Sequence, residues 1–233
     1  MKFSLTLALI TFAFAVSAQA SDEGKHLLIL SGQSNMARLD PSVSFTPTLD
    51  NHLGKNNFIV VKDAKGGQPI RRWYKQWKPV EGEMPADNGD LYDRLMVKVN
   101  GAIQGEKIKT VTFVWMQGER DAKDKQGRVY ADSLKGLFKQ LSMDLNKKDI
   151  NIVIGRINDF DMENKKAAHW TSIREAQVEV AESLPRATWV NTDDLNGKTN
   201  DIHALEDGYD ILGERFALKA IELIKVESNI PAN

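Results

Sequence analysis

Short apolar runs alternate with amphipathic helical patterns along most of this chain, and the alternation limits the folds open to it. Five runs rich in β-branched residues are typical of strands buried on both faces, at 27–30, 58–61, 111–115, 152–154 and 188–190. Apolar residues at helical spacing follow in four stretches, which include Leu91, Tyr130, Ile173 and Leu212. The pattern predicts an α/β fold with a parallel, doubly wound five-stranded sheet and helices on both sides.

Local signals add detail to this outline. Ser172, followed three residues later by Glu175, has the spacing of a capping box and predicts a helix that opens at Ser172. The segments 39–55 and 66–89 lack clear periodicity and hold five of the seven prolines. Long loops in a compact domain are usually functional, so these two segments are expected near a site.

The first twenty residues differ from the rest. Lys2 precedes an almost wholly apolar stretch at 5–16, and 18–20 is a small-x-small cleavage sequence. A buried helix or a membrane anchor are the alternatives, but the stretch is short for a bilayer span and polar residues follow at once. We therefore expect a signal peptide at 1–20, a single domain at 21–233, and a secreted or periplasmic protein.

Composition excludes several classes of function. Lys2 is one of 31 basic residues and none of the 32 acidic residues precedes position 21, so the remainder carries a formal charge of −2. A net charge of −2 does not indicate a protein that binds nucleic acid, which would carry an excess of basic residues. No segment after residue 20 is apolar enough to enter a membrane. The chain contains no cysteine, which excludes disulfides and thiolate chemistry.

The first predicted strand runs directly into a polar segment, 31–36, which contains Ser34. Ligands of parallel sheets bind beyond the carboxyl ends of the strands, and a helix N-terminus there favours developing negative charge. Ser34 is thus a candidate nucleophile. A serine at a helix start is also a common cap, and this segment alone does not separate the two interpretations.

Candidate hydrogen-bond donors follow the next two strands. The pair Gly66-Gly67 can expose a backbone N–H to a reacting oxygen, although it equally suits a turn with positive φ. Past the third strand, the side-chain amide of Gln117 is placed to donate to an oxyanion. Alternatively, Gln117 and Glu119 hold their loop together.

His203 is the candidate general base. Of the four histidines, it alone follows all five predicted strands and has carboxylates close in sequence. A nucleophile after the first strand, donors after later strands and a base in the last loop follow the logic of Ser–His–acid hydrolases. Neither a metal-ligand histidine spacing nor a nucleotide-binding glycine pattern occurs, so we expect no metal and no cofactor.

Four ordered blocks together resemble one family. The segment 30–36, Leu-Ser-Gly-Gln-Ser-Asn-Met, closely resembles the nucleophile block of the sialate O-acetylesterase-like, carbohydrate esterase branch of SGNH hydrolases. The glycine pair, the Trp-Met-Gln-Gly-Glu segment at 115–119 and the closing segment at 201–213 resemble the branch's remaining blocks. The resemblance implies a three-layer α/β/α, SGNH or flavodoxin-like fold. It also implies hydrolysis of esters, usually acetyl, on sugars, without a cofactor.

The resemblance also assigns roles. It implies that Ser34 attacks the acetyl carbonyl and that His203 takes the serine proton. The oxyanion would be held by the Ser34 backbone N–H, by the N–H of Gly67 or Gly66, and by the Gln117 side chain. Five further residues are candidate substrate contacts: Gln33, Asn35, Glu119, Arg72 and Arg120.

Two departures from the family pattern matter. The acid that orients the histidine usually lies three residues before it, where this chain has Asn200, whereas Asp201 lies two before. Either Asp201 orients the ring, or Asn200 does so more weakly, or the site is a dyad helped by a carbonyl. The second departure is the presence of three basic residues, Arg71, Arg72 and Arg120, after the glycine block and the Gln-Gly-Glu block. They are either solvated surface charges or the rim of a cleft that binds an anionic sugar.

Two other functions remain open at this point. One is an SGNH esterase acting on lipid or aryl esters, and the absence of a contiguous apolar lid sequence argues against the lipid substrates. The other is a carbohydrate-binding relative that has lost turnover. Asn200 favours that alternative, whereas the joint presence of Ser34, His203, Gln117 and the glycine pair opposes it.

Overall fold

The computed structural model describes residues 24–228, so the predicted signal peptide at 1–20 lies outside the described residues. The strands are β1 (Lys25–Gly32), β2 (Phe58–Ala64), β3 (Ile108–Met116), β4 (Asn151–Gly155) and β5 (Ala187–Val190). The helices are α1 (Ser34–Arg38), α2 (Phe45–Leu53), α3 (Asp90–Ala102), α4 (Glu119–Lys123), α5 (Gly127–Asp144), α6 (Trp170–Ser183) and α7 (Glu206–Ser228), with a 3-10 turn at Ile70–Arg72. Within this range, no helix combines the length and apolarity needed to cross a bilayer.

The five strands form one sheet in the order β2-β1-β3-β4-β5, and all four pairings are parallel. The predicted α/β class and five-stranded sheet are therefore confirmed. The chain winds outward from β1 to β2 and then returns to place β3 on the other side of β1. The strand order reverses between β1 and β3, and in such sheets the crevice at the carboxyl ends of these strands is the binding site.

Side chains alternate between the two faces of the sheet and build two separate cores. Leu27, Ile29 and Phe113 face α3, α5 and α6 on one side. Leu28 and Leu30 face α1, α2 and α7 on the other side. The sheet is thus the middle of three layers, and this rigid frame fixes the positions of the loops at its carboxyl edge.

Two local predictions were wrong. The segment 39–55, predicted as a loop, contains α2, which packs against α7 and buries Phe45 and Leu49. Pro47 lies in the first turn of α2, where a missing N–H costs no helical hydrogen bond. The helix predicted to open at Ser172 begins at Trp170, with His169 as its N-cap residue. The fully buried Trp170 anchors this first turn, and its indole N–H donates to the Asn158 carbonyl at 2.7 Å.

Candidate active site

Ser34 is the first residue of α1 and lies just beyond the carboxyl end of β1. The turn between them depends on Gly32, which has φ +143°, because a Cβ there would lie 1.9 Å from the Met116 carbonyl oxygen. The Gln33 N–H donates to the same oxygen at 2.9 Å, which ties the turn to the end of β3. Ser34 is therefore held at the switch point of the sheet, and it is the first helical residue of α1 and not its N-cap, which is Gln33.

His203 lies in the loop between β5 and α7 and faces Ser34. Its Nε2 lies 3.0 Å from the Ser34 Oγ, across 169 residues of sequence. Burial and the positive charges of Arg38 and Lys123 lower the pKa of His203 below its ordinary value, against an opposing effect of Asp201. At neutral pH the ring is therefore the neutral form, which can accept the serine proton.

Asn35 holds the histidine loop against the nucleophile helix. Its Nδ2 donates to the Glu119 Oε1 at 2.9 Å and to the Ile202 carbonyl at 3.1 Å. Its Oδ1 accepts from the Ala204 N–H at 3.2 Å and from the Tyr209 hydroxyl at 3.1 Å. Because all four bonds go to the protein and Asn35 is only 2% exposed, the predicted substrate contact at Asn35 is corrected to a positioning role.

Replacing Asn35 with alanine should lower the free energy of unfolding by about 3 kcal/mol, since it leaves several buried partners unpaired. It should also lower kcat by roughly tenfold to a hundredfold, because His203 loses its support. Urea unfolding and steady-state kinetics measure the two effects. Asn100→Ala, on an exposed position of α3, is the control, and wild-type stability of the Asn35 variant would contradict this role.

The acids predicted to orient His203 make other contacts. The Asp201 Oδ1 accepts from the backbone N–H of His203 at 3.3 Å, not from the ring. Asn200 donates to Asp159 at 3.3 Å, and Asp194 pairs with Arg215 at 2.6 Å. Within 24–228 no carboxylate is hydrogen-bonded to the His203 Nδ1. The structure therefore differs from the predicted Asp201–ring contact, because the backbone of 201–203 directs the carboxylate to the main chain.

Gln117 also differs from its predicted position. Its side chain is fully buried, and its Nε2 donates to the Asp121 Oδ2 at 2.6 Å, the Gln68 carbonyl at 3.0 Å and the Gln33 Oε1 at 3.2 Å. Three protein oxygens thus occupy both amide hydrogens. The prediction that Gln117 donates to the oxyanion is corrected, and the alternative, that it holds its loop, agrees with these contacts.

Two backbone donors at the cleft are available to a ligand. The Ser34 N–H is the first of its helix and has no intrahelical acceptor. The Gly67 N–H makes no hydrogen bond within the described residues. Gly67 has φ +69° and a Cβ would meet nothing within 4 Å, so the turn opens its backbone towards the cleft.

Two carboxylates lie buried behind these donors. Burial raises the pKa of Glu119, whose Oε1 accepts from Asn35 while its Oε2 has no partner in the described chain. Burial also raises the pKa of Asp121 to about 7, and its Oδ2 accepts from the Ile70 N–H at 2.8 Å as well as from Gln117. The Glu119 side chain therefore links α4 to α1 and also borders the cleft, whereas the Asp121 side chain links α4 to the 3-10 turn at Ile70–Arg72.

The arginines predicted to rim the cleft are paired. Arg71 pairs with Asp87, and Arg72 pairs with Asp90 and donates to the Gln68 side chain at 2.6 Å. Arg120 borders the cleft but is bound by Asp124 at 2.8 Å. Arg71 and Arg72 are outside the lining of the cleft, so the predicted substrate contact at Arg72 is corrected to a structural ion pair.

Sequence reasoning missed two cleft cations, Arg38 and Lys123. Both are exposed, line the cleft, and have no ion-pair partner among residues 24–228. The signal was present in part, since Arg38 follows Ser34 by one helical turn and Lys123 follows Glu119 by the same interval. Neither charge is neutralised by an ion pair in the described part of the chain, so both can attract an anionic ligand.

The cleft itself has a volume of about 470 Å³. Its walls come from the ends of β1 and β3, the glycine turn, α4 and the histidine loop. It is lined by Gln33, Ser34, Arg38, Gly67, Glu119, Arg120, Lys123, Asp124, Ile202 and His203. A volume of this size accommodates one sugar unit, and its walls are polar and charged.

A three-layer α/β fold with a serine and a histidine in contact at the switch point is the arrangement of a hydrolase. A family profile described as carbohydrate esterase, sialic acid-specific acetylesterase, matches residues 37–222, most of the chain. The chain therefore belongs to this family and is a carboxylic ester hydrolase, as the sequence predicted. No protein of curated function matches it significantly.

Solved structures share the fold at low identity. A protein of Arabidopsis thaliana is 20% identical with a TM-score of 0.66, and the match covers 85% of this chain and 98% of that one. A carbohydrate acetylesterase from Xanthomonas citri is 18% identical with a TM-score of 0.63, over 86% of this chain and 57% of that one. Axe2, an acetylxylan esterase from Geobacillus stearothermophilus, is 15% identical with a TM-score of 0.51, over 85% and 94% of the two chains.

Proposed function

We propose that this protein is an exported serine esterase that removes O-acetyl groups from carbohydrates through an acyl-enzyme. The observation that carries the proposal is the 3.0 Å contact between the His203 Nε2 and the Ser34 Oγ inside a cleft of sugar size. Residues 21–233 would form its single domain after removal of 1–20. Family membership supports the reaction, and the names of the solved acetylesterases support the class of substrate.

The proposed mechanism uses this chain's own groups. The Ser34 Oγ attacks the acetyl carbonyl carbon while the His203 Nε2 takes the hydroxyl proton. The oxyanion accepts hydrogen bonds from the Ser34 and Gly67 N–H groups. The carbon–oxygen bond to the sugar then breaks, and His203 returns the proton to the departing sugar oxygen. Water, deprotonated by His203, attacks acetyl-Ser34, and acetate leaves as the serine regains its proton.

The charges of the cleft favour a sugar that carries a carboxylate. Arg38 and Lys123 are unpaired, Arg120 and Asp124 neutralise each other, and burial favours the neutral form of Glu119. The cleft lining that a ligand would contact therefore carries a net positive charge. An anionic sugar beside Ser34 would gain from both free cations, whereas a neutral acetyl ester would not.

The double variant Arg38→Gln/Lys123→Gln should lower kcat/KM on an acetylated anionic sugar by about tenfold, since each exposed charge contributes a modest amount. Activity on a neutral aryl acetate at pH 8, where His203 is neutral, should stay within twofold. Lys139→Gln, an exposed cation outside this cleft, is the control for loss of charge. Equal losses on the two substrates would contradict a carboxylate-binding role.

The experiment that tests the function is acetate release over a panel of esters. The panel contains acetylated sialic acid, acetylxylan, acetylated pectin and an aryl acetate, each assayed with wild-type protein and with Ser34→Ala. We expect Ser34-dependent release from at least one carbohydrate. Release from the aryl acetate alone would favour the alternative esterase, and retention of a glycan without release would favour a binding protein.

A further inference from the structure

A second pocket opens at the amino edge of the sheet, the edge opposite Ser34. This amino-edge pocket has a volume of about 290 Å³ and lies between α5, the start of β4 and the turn from α6 to β5. Phe138, Ile150 and Ile152 line it, and all three belong to the core between the sheet, α5 and α6. Leu184 lines it as well and packs against the same core. The pocket therefore presents apolar surface that the ester chemistry does not use.

Three lysines border this apolar surface. Lys135 and Lys139 lie one helical turn apart on α5, and Lys148 lies in the loop that leads into β4. All three are exposed, and none forms an ion pair within residues 24–228. Among the described residues, Asp149 supplies the one carboxylate of the lining. The lining of the amino-edge pocket therefore carries a net positive charge.

Hydrogen bonds hold the two loops of the pocket in place. The Ser142 hydroxyl, on α5, donates to the Lys147 carbonyl and lies 3.5 Å from the Lys148 carbonyl oxygen. At the turn from α6 to β5, the Arg186 Nη1 donates to the Asn151 Oδ1 at 3.3 Å. The pocket is thus formed before any ligand arrives, which lowers the entropic cost of binding.

The two kinds of surface favour a ligand with two matching parts. Apolar side chains favour an alkyl body, because contact with them removes its surface from water. Unpaired ammonium groups attract an anionic head group. A sugar carries hydroxyl groups on every side, and apolar walls leave them without hydrogen bonds. The amino-edge pocket therefore fits an amphipathic anion and does not fit the carbohydrate proposed for the catalytic cleft.

We propose that the amino-edge pocket binds a medium-chain monocarboxylate. The alkyl chain contacts Phe138, Ile150 and Leu184, and the carboxylate lies among the three lysines. This binding site goes beyond the proposed esterase function and is separate from it, because Ser34 lies beyond the other edge of the sheet. No covalent bond forms or breaks at this site.

The depth of the pocket favours a soluble carboxylate over the surface of a membrane. Its apolar residues are recessed, since Ile152 is 3%, Phe138 5% and Ile150 8% exposed. A single alkyl chain can enter an opening between side chains, whereas the flat surface of a bilayer contacts only the exposed lysines. The proposed ligand is therefore the free acid in solution.

Titration of the wild-type protein with octanoate, below its micelle concentration, tests the site. In carbon-13 NMR spectra, the methyl signals of Ile150, Ile152 and Leu184 should shift saturably, whereas that of Ile202 in the catalytic cleft should not. Hexanoate should bind about tenfold more weakly, because each buried methylene group changes the affinity roughly fourfold. Octanol, which lacks the charge, should bind at least about fivefold more weakly than octanoate.

A triple variant tests the positive charges: Lys135→Gln/Lys139→Gln/Lys148→Gln. Its affinity for octanoate should fall by about tenfold, since three exposed charges each contribute a modest amount. Its affinity for octanol should stay within twofold of wild type, because the apolar lining is unchanged. Isothermal titration calorimetry measures both affinities.

The matched control removes three exposed lysines that lie outside the amino-edge pocket: Lys55→Gln/Lys78→Gln/Lys225→Gln. It makes the same change in net charge. Its affinity for octanoate should therefore equal that of wild type within about twofold.

Four results would overturn the proposal. Octanol that binds as tightly as octanoate, or equal losses in the two triple variants, would show that the three lysines do not bind the carboxylate. A shift confined to Ile202, with competitive inhibition of aryl acetate hydrolysis, would place octanoate in the catalytic cleft. Sedimentation with phosphatidylglycerol vesicles that depends on the three lysines, without any octanoate binding, would indicate a membrane surface instead.

Discussion

Replacing Ser34 with alanine is expected to abolish acetate release, lowering kcat by roughly ten-thousandfold or more, and to leave the fold intact. The large loss follows because no acyl-enzyme can form without the Oγ. The stability change is expected to be small, below about 1 kcal/mol. The N-cap residue of α1 is Gln33 and not Ser34, and the hydrogen bond of the Ser34 hydroxyl in the structure is to His203. Acetate assays and thermal unfolding measure the two quantities.

The control for this variant is Ser42→Ala. The Ser42 hydroxyl bonds Asp40 at 2.7 Å on an exposed segment, so its loss should leave activity unchanged. Ser34→Ala protein that keeps more than a tenth of wild-type kcat would reject Ser34 as the nucleophile, whatever the activity of the control.

Replacing His203 with alanine is expected to lower kcat by roughly a thousandfold or more, because Ser34 loses the only base that contacts it in the described chain. The pH profile provides a second readout. The base is the neutral ring, so activity falls as pH drops through the pKa of His203. Since burial, Arg38 and Lys123 lower that pKa, the acidic limb should lie below pH 6.5.

Arg38→Gln tests the sign of this effect. Removing the positive charge takes away one cause of the lowered pKa, so the acidic limb should move to higher pH. Asp201→Asn should move it to lower pH, because the carboxylate favours the charged ring. His52→Ala, on the exposed part of α2, is the control for loss of a histidine. A limb above pH 6.5 in wild type, or shifts of opposite sign, would contradict this account.

The sequence was most informative where the position in the chain determines the position in space. Parallel strands bring their carboxyl ends to one edge, so Ser34, Gly67 and His203 could be placed near one another from strand order alone. The alternation of buried strands with amphipathic helical patterns likewise predicted helices on both sides of the sheet. Neither inference needed the direction of any single side chain.

The misplaced residues depended on side-chain direction. Gln117 follows β3 as predicted, but its amide nitrogen donates inward to Asp121 and to the Gln33 Oε1, so both amides are engaged with the protein. Asp201 lies two residues before His203, and the local backbone directs it to the N–H and not to the ring. Hydrophobic periodicity and residue spacing do not determine in which direction an individual side chain points.

Charge pairing was predictable only in part. Arg120 and Asp124 are four residues apart on a helical turn, a spacing that favours an ion pair. Arg72 and Asp90 are eighteen residues apart, and only the folding of the loop 66–89 brings them together. The free cations therefore became identifiable only once these partners were known.

The most direct test of the central claim is mass spectrometry of the enzyme stopped during turnover. Acid quenching of wild-type protein with an aryl acetate should trap one acetyl group on the peptide that contains Ser34. The Ser34→Ala protein should carry none. An acetyl group on another residue, or turnover without any labelling of Ser34, would contradict the account of Ser34 and His203 as the nucleophile and base of this esterase.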